Sequence, residues 1–177
     1  MKGIVFTEFM EMVEKEFGLE MVDQLVNACP LHSKGIYTKV GTYDHQEMIS
    51  LVGELSDTKK LPASSLINVF GRHLFASFVK SYPGFFKDQD TFSFLKSLDG
   101  YIHVEVKKLY SDAELPRFMC TEKDNTLTMH YQSSRPFADL AEGLIQETIQ
   151  HFKEDIRLEV DKNSDPHKRD FKLTANG

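Results

Sequence analysis

Three hydrogen-bond donors stand at alternate positions in the segment YQSSR, which begins at Tyr131. In an extended strand alternate side chains share a face, so Tyr131, Ser133 and Arg135 would point the same way over about 13 Å. The same face continues backwards through Met129 and Leu127, which are apolar. The pattern therefore predicts a strand that leaves an apolar core and meets an anionic group.

A second candidate is His103, in the segment GYIHVEVKKLY. Ile102, Val104 and Val106 alternate as in a strand, whereas Ile102, Val106 and Leu109 also form a helical stripe. Propensity alone favours the strand. Taken by itself, His103 would be interpreted as a half-buried histidine that is satisfied by a backbone carbonyl.

The composition is ordinary for a globular protein of one domain. The chain has 177 residues, of which 41% are hydrophobic and 27% are charged, enough for one sizeable core. The formal net charge of -6 gives no electrostatic basis for binding nucleic acid. Cys29 and Cys120 lie far apart without a paired metal-ligand spacing, which favours a reducing cytoplasm. No run approaches the roughly 18 apolar residues of a membrane span, so we expect no membrane association.

The chemistry-bearing residues need elements to position them, and helical periodicity dominates the amino-terminal part of the chain. Gly18 and Asp44 are suited to cap helices, while Pro83 and Gly84 would stop the longest one. Helices are predicted over about 5–17, 19–28, 45–55, 62–82, 91–98 and 136–155.

Strand patterns begin after Pro116. Strands are predicted near Phe118, over 126–135, near 158–160 and near 171–173, with a turn at 163–166. Helices first and a meander of strands last predict an α+β domain. Fourteen phenylalanines and no tryptophan suit either a generous core or the wall of a pocket for a flat apolar ligand.

Three features in this order resemble one family: the amino-terminal MKGIVF, the histidine of IHVEVKKLY, and the Tyr-x-Ser-x-Arg spacing of YQSSR. Together they resemble the haem nitric oxide/oxygen binding domain, H-NOX, which stands alone in bacteria and is the sensor of soluble guanylate cyclases. The resemblance covers essentially the full chain. It implies a distal helical subdomain over about 1–60 and a proximal mixed subdomain over about 61–177. The second would hold a four-stranded antiparallel sheet with helices, and haem would be buried between the two.

By this resemblance the cofactor is haem b, and His103 is the proximal ligand of its iron on a helix, despite the strand-like alternation. A single axial histidine leaves the opposite iron face free for a gas. Tyr131, Ser133 and Arg135 would hold the two propionates, because an arginine forks onto one carboxylate and the hydroxyls donate to the remaining oxygens. Pro116 would press on the haem and help to distort it.

The resemblance also implies which residues line the distal pocket, although helical stripes of this kind are usually ordinary core. They are Val5, Phe9, Leu74, Phe78, Leu140 and Leu144. Family members that hold oxygen stably carry a tyrosine at the position of Leu140, so its absence predicts a pocket selective for nitric oxide, with carbon monoxide also bound and oxygen bound weakly or not at all. His73 would alter this prediction if a rotation of its helix brought it inward.

The implied signal begins when nitric oxide weakens the iron bond opposite to it, so that the link to His103 breaks and the proximal helix is freed. The chain carries no recognisable kinase or cyclase segment, and the resemblance implies a separate partner, either a histidine kinase or a cyclic-di-GMP enzyme. We therefore expect a sensor rather than an enzyme.

Two rival interpretations remain open. A catalyst could use His103 or Tyr131 as acid or base and Arg135 as an oxyanion clamp, but no nucleophile, metal cluster or phosphate loop completes such a site. A binding module without gas sensing could clamp another carboxylate-bearing ligand or tetrapyrrole on the YQSSR segment. That module would not need His103.

Overall fold

The structure, a computed structural model, describes residues 1–161 and 165–176. Its α-helices are α1 (Gly3–Phe17), α2 (Leu19–Ala28), α3 (His45–Lys59), α4 (Ala63–Ser81), α5 (Thr91–Ser97), α6 (His103–Leu109) and α7 (Ala138–Phe152). A 3₁₀ turn (Pro83–Phe85) follows α4, and a π-helical turn (Leu98–Ile102) joins α5 to α6. The strands are β1 (Arg117–Lys123), β2 (Thr126–Gln132), β3 (Ile156–Asp161) and β4 (Lys168–Ala175). The predicted α+β class is confirmed.

Single residues set the ends of several helices. Gly18 separates α1 from α2 with a φ of 87°, a backbone conformation that glycine adopts without the strain a Cβ would cause. Asp44 caps α3 by accepting a hydrogen bond from Gln46 N at 3.0 Å. Asp90 does the same for α5, from Ser93 N at 2.7 Å.

The four strands form one antiparallel sheet in the order β1-β2-β4-β3. On β2, Leu127, Met129 and Tyr131 alternate onto the buried face, where they meet Phe171 and Leu173 of β4. This period-2 burial is the pattern of a sheet with one face in the core. Helix α7 packs into the same cluster through its inward face.

Helices α4 and α7 touch at a pair of glycines. A Cβ on Gly71 would lie 3.1 Å from the Gly143 Cα and would overlap the carbonyl oxygen of Leu140. A Cβ on Gly143 would overlap the carbonyl oxygen of Asn68. Only glycine at both positions allows the two backbones to approach this closely.

The buried apolar residues form two clusters. The first joins α1, α2, α3 and most of the buried face of α4, and includes the edge-to-face pair of Phe9 and Phe70 with ring centroids 5.3 Å apart. The second joins α5, α7 and the sheet, and takes Phe75 from α4. Helix α4 is therefore shared by both clusters. The predicted division near residue 60 stays a prediction.

One prediction about local structure differs from what is observed. Strand β2 ends at Gln132 instead of continuing to residue 135, because the Ser133 hydroxyl accepts a hydrogen bond from Arg135 N at 3.1 Å and bends the chain. The segment around His103 is helical, as the family resemblance implied against the strand propensity of its alternation. The turn predicted at 163–166 lies largely outside the described residues.

Within the described parts of the chain, none of the helices combines the length and the apolar character needed to cross a bilayer.

Candidate functional site

A cavity of about 300 Å³ lies between the two clusters. Its wall is built from α1, α4, α5, α6, α7, β1 and β2, so both the helices and the sheet contribute to it. The predicted site residues that line it are Val5, Leu74, Phe78, His103, Pro116, Tyr131, Ser133, Arg135, Leu140 and Leu144. Phe9 is the exception among them: it is fully buried against Phe70 and does not reach the cavity.

His103 stands at the first position of α6, directly after the π-helical turn. In that turn the amide of His103 donates to the carbonyl oxygen of Leu98, five residues earlier. Single π turns inside α-helices are frequent at functional sites. The turn brings the imidazole to the cavity wall with 18% of its side chain exposed.

The Nδ1 atom of His103 lies 3.0 Å from Asp99 Oδ1, and the other carboxylate oxygen of Asp99 accepts a hydrogen bond from Phe118 N at 2.9 Å. Asp99 therefore links α6 to β1 through one carboxylate. With Nδ1 on Asp99, no described residue hydrogen-bonds to Nε2. This is the arrangement of a metal-binding histidine, which donates its second ring N–H to a carboxylate.

Burial lowers the pKa of His103 from its usual value, against the opposing charge of Asp99, which raises it. The neutral imidazole is consequently the dominant form at neutral pH. A neutral imidazole has a free lone pair on one nitrogen, as a metal ligand requires.

Tyr131, Ser133 and Arg135 meet at the cavity although they do not share one strand face. Tyr131 lies on β2, and the backbone of Ser133 remains tied to His167 through Ser133 N, which donates to His167 O at 2.9 Å. Burial raises the pKa of Tyr131, so its hydroxyl stays a neutral donor at neutral pH. The pKa is lowered in turn by a hydrogen bond with Ser133 and by the positive charges of Arg169 and Arg135. Two positive charges therefore lie near the phenol.

Arg135 already binds a carboxylate at the cavity wall. Its Nη2 lies 2.8 Å from Glu114 Oε2, and its Nη1 donates to the Glu114 carbonyl oxygen at 3.1 Å. The Nε atom of Arg135 is buried and has no hydrogen-bond partner among the described residues. The Arg135 side chain is 15% exposed and that of Glu114 is 68% exposed, so the arginine is fixed while the glutamate can move.

The part of the cavity wall that α1, α4 and α7 contribute is largely apolar. Val5 of α1, Leu74 and Phe78 of α4, and Leu140 and Leu144 of α7 bring hydrocarbon side chains to it. The neighbouring hydroxyl on α7 is engaged elsewhere, because Thr148 Oγ1 donates to the carbonyl oxygen of Leu144 at 2.8 Å.

His73 does not line the cavity. Its Nε2 atom lies 3.7 Å from a carboxylate oxygen of Glu8 on α1. The rotation that would bring His73 beside Leu74 in the wall is therefore absent from this structure.

The carboxylate partners of His103 and Arg135 were not predicted from the sequence. Asp99 precedes His103 by one helical turn, a spacing that indicates contact on one helix face once the segment is taken as helical. Glu114 gave no such signal, because its contact with Arg135 joins residues 21 apart in sequence.

Comparisons with known proteins find similarity to one family along nearly the whole chain. The model of the Haem-NO-binding family matches residues 2–160. The H-NOX protein from K. algicida, solved in the Fe(II) unliganded state, is 40% identical with a TM-score of 0.93, and the match covers 100% of this chain and 97% of that chain. The H-NOX from Shewanella woodyi, solved with IWP-051 bound in the Fe(II)CO state, is 43% identical with a TM-score of 0.84, and the match covers 99% and 95%.

A more distant protein shares the fold. The H-NOX protein from S. oneidensis, solved in the Fe(II)NO state, is 24% identical with a TM-score of 0.90, and the match covers 100% of both chains. The family model and the two closer relatives span nearly the entire chain. The chain therefore belongs to the Haem-NO-binding family, the family of the H-NOX proteins.

Proposed function

We propose that this protein is a haem-based sensor of nitric oxide that regulates a separate signalling protein. The observation that carries the proposal is the placement of two groups on one cavity: a neutral imidazole whose Nε2 is free, and a buried arginine that binds carboxylate. Haem b, the cofactor of this family, needs both an axial ligand and partners for its two propionates.

The residues present fit that cofactor. His103, with its Nδ1 held by Asp99, would be the axial ligand. Arg135, Tyr131 and Ser133 would hold the propionates, and the contact of Glu114 with Arg135 indicates how one carboxylate could be received. The orphaned Nε of Arg135 leaves one further donor for an anion. Pro116 and the apolar walls would pack on the macrocycle.

When bound, haem would supply a ferrous iron that can take up a gas, and nitric oxide would weaken the bond between that iron and His103. Residues around His103 would pass the loss of this bond to the rest of the protein. Once released, His103 would remain attached to Asp99, which also holds β1 through Phe118 N. Any displacement of α6 would then be passed to the edge strand of the sheet.

The apolar part of the cavity wall supports selectivity for nitric oxide over oxygen. Oxygen bound to iron becomes a partly charged acceptor, and a hydrogen bond to such a group contributes about 1.5–3 kcal/mol. Leu74 and Leu140 offer no donor, and His73 is turned away. We therefore propose that nitric oxide and carbon monoxide bind, and that oxygen binds weakly or not at all.

The output is proposed to be a change of the proximal surface that a histidine kinase or a cyclic-di-GMP enzyme recognises. A partner responds only if it prefers one of the two states, so the coupling free energy lies in that preference.

The visible absorption spectrum of the purified, anaerobically reduced protein tests the proposal. We expect a haem spectrum that shifts when nitric oxide is added and stays unchanged in air. A stable spectral change in air would contradict the selectivity, and failure to take up haem on reconstitution would contradict the function.

The alternative is a module that clamps a carboxylate-bearing ligand or another tetrapyrrole without gas sensing, which the pairing of Arg135 with Glu114 favours. The variant His103→Gly separates the two functions. A haem sensor should lose its axial ligand and regain it when imidazole is added, whereas a carboxylate module should bind its ligand as before.

A further inference from the structure

A polar cluster lies outside the cavity, at the contact between α1 and α4. It consists of Glu8 and Glu11 on α1 and His73 on α4, and one donor atom from each lies within 4.8 Å of the others. The cluster takes no part in the site described above. Beside it, α1 and α4 pack against each other through apolar residues such as Phe9 and Phe70.

One of the three donors is fully buried without a hydrogen bond. It is the Nε2 atom of His73, which has no hydrogen-bond partner among the described residues. The side chain of Glu8 is 4% exposed, and its carboxylate is balanced by the ammonium of Lys39. A buried ring nitrogen without a hydrogen bond is costly, and most native polar groups at such burial have a ligand, a water or a partner.

The spacing of the two buried donors suits a metal ion. Glu8 Oε2 lies 3.7 Å from His73 Nε2. Two ligands of tetrahedral zinc, each at about 2.0–2.2 Å from the ion, are separated by about 3.4 Å. The distance is too long for a hydrogen bond and close to that of two ligands of one ion.

Glu11 supplies the third ligand. It lies three residues after Glu8 on the same helix face and is exposed, so its carboxylate can swing inward. Lys39 is the competing cation: its Nζ lies 3.5 Å from Glu8 Oε1, and its side chain is 61% exposed. A divalent ion could displace this exposed ammonium at small cost in burial.

We infer that Glu8, Glu11 and His73 form a zinc-type divalent metal site that fastens α1 to α4. One imidazole and two carboxylates are ligands that Zn²⁺ accepts, with a fourth position for water. The site ties together the helices that carry Val5 and Leu74, so its occupancy stabilises the wall of the cavity from outside. It is independent of the proposed gas sensing.

The test is zinc binding to the untagged, haem-loaded protein, measured by titration calorimetry and by elemental analysis after dialysis against zinc without a chelator. We expect one zinc per chain and a higher Tm in its presence. Glu11→Gln and His73→Gln should each weaken binding by more than about tenfold, because even loss of a residue behind a ligand costs about 10- to 100-fold.

Two further variants sharpen the result. Lys39→Gln removes the competing cation and should bind zinc at least as tightly as the wild type. His130→Gln is the matched control, because His130 is an exposed histidine with Nδ1 2.8 Å from Asp170 Oδ1 and should not contribute. Absence of stoichiometric zinc, or equal loss in His73→Gln and His130→Gln, would overturn the inference. Unchanged haem absorbance in each variant establishes that the fold is intact.

Discussion

At the scale of single residues, the cavity wall combines a few polar groups with many apolar ones. His103 and Arg135 present a lone pair and a fixed positive charge, each oriented by a carboxylate, Asp99 or Glu114. Leu140, which also lines the cavity, presents only hydrocarbon. We expect these few side chains to direct the chemistry of the cofactor, and two of them can be tested individually.

The first test introduces a donor at position 140. Leu140→Tyr should raise oxygen affinity by about ten- to a hundredfold, because a hydrogen bond to a partly charged acceptor contributes about 1.5–3 kcal/mol. The measurement is equilibrium oxygen binding by the reduced protein. Leu140→Phe is the control of similar size without a hydroxyl. Equal behaviour of the two variants would mean that the phenol does not reach the gas.

The second test concerns pH. As the proposed iron ligand, His103 would bind either a proton or iron at Nε2, and burial lowers the pKa of His103 below its ordinary value of about 6.5. Haem transfer to a scavenger protein should therefore be insensitive to pH above about 6.5 and should accelerate as the pH falls below it. Asp99 raises the pKa of His103, so in Asp99→Asn the pH at which transfer accelerates should move lower. Acceleration that begins above the ordinary imidazole range would contradict this account.

At the scale of elements, helix α7 contacts α4 and the sheet in two different ways. It packs closely on α4 because both helices have glycine at the contact, and it forms ion pairs with the sheet. Gly71 and Gly143 bring the two backbones together. Arg169 of β4, which is 6% exposed, reaches Asp139 at 2.8 Å and Glu142 at 3.3 Å on α7. A buried arginine paired with two carboxylates fixes the register between helix and strand.

Substitution of glycine by alanine should have opposite effects on stability at Gly143, in the contact of α7 with α4, and at Gly53 on α3. Gly143→Ala should destabilise the protein by about 1–3 kcal/mol, because the new methyl group would overlap the carbonyl oxygen of Asn68. Gly53→Ala on α3 meets no atom within 4 Å and should stabilise it by about 0.5–1 kcal/mol. Urea unfolding of the two variants measures both values. Destabilisation of similar size in both variants would argue against a specific contact.

Helices and strands were largely predictable where the hydrophobic residues follow a single helical or strand spacing. The ranges of α1 and α2 and the positions of β3 and β4 followed from spacing and from caps such as Gly18. The segment with His103 was ambiguous, because Ile102, Val104 and Val106 fit a strand, and only the resemblance to a family indicated the helix. The bend after Gln132 depends on the hydrogen bond from Arg135 N to the Ser133 hydroxyl, which alternation does not reveal.

The candidate site was predictable to a similar degree. Ten of the eleven predicted site residues line the cavity, because they lie on faces with a clear period or in the family's motifs. Phe9 points instead to Phe70, since a helical stripe does not say which of its members faces a cavity and which faces core. Glu114 depends on contacts distant in sequence, which no local pattern encodes.

At the scale of the whole molecule, polar contacts join distant parts of the chain at the cavity wall. Lys2, at the start of α1, lies 3.2 Å from Asp112 in the loop before β1, and Thr42 Oγ1 donates to Asp112 at 2.6 Å. The Lys2 ammonium also lies 5.1 Å from the ring of Tyr110. These contacts join the amino-terminal helices to the segment that follows α6.

The ion pair of Lys2 and Asp112 predicts that the rate of haem loss depends on salt concentration. Asp112→Asn should accelerate haem transfer to a scavenger by less than about tenfold, because exposed ion pairs contribute little. Added salt should bring the wild-type rate towards that of the variant, since it screens the pair of Lys2 and Asp112. The variant itself should respond weakly to salt. If both proteins respond equally, the bridge does not limit exchange.

The π-helical turn before His103 also constrains the length of the chain. Residues in a helix are separated by about 100° around its axis, so deleting one residue between Asp99 and His103 would turn the carboxylate away from the imidazole. Gly100, in the same turn, could accept a Cβ without meeting any atom within 4 Å. We therefore expect this turn to tolerate substitutions during evolution but not insertions or deletions.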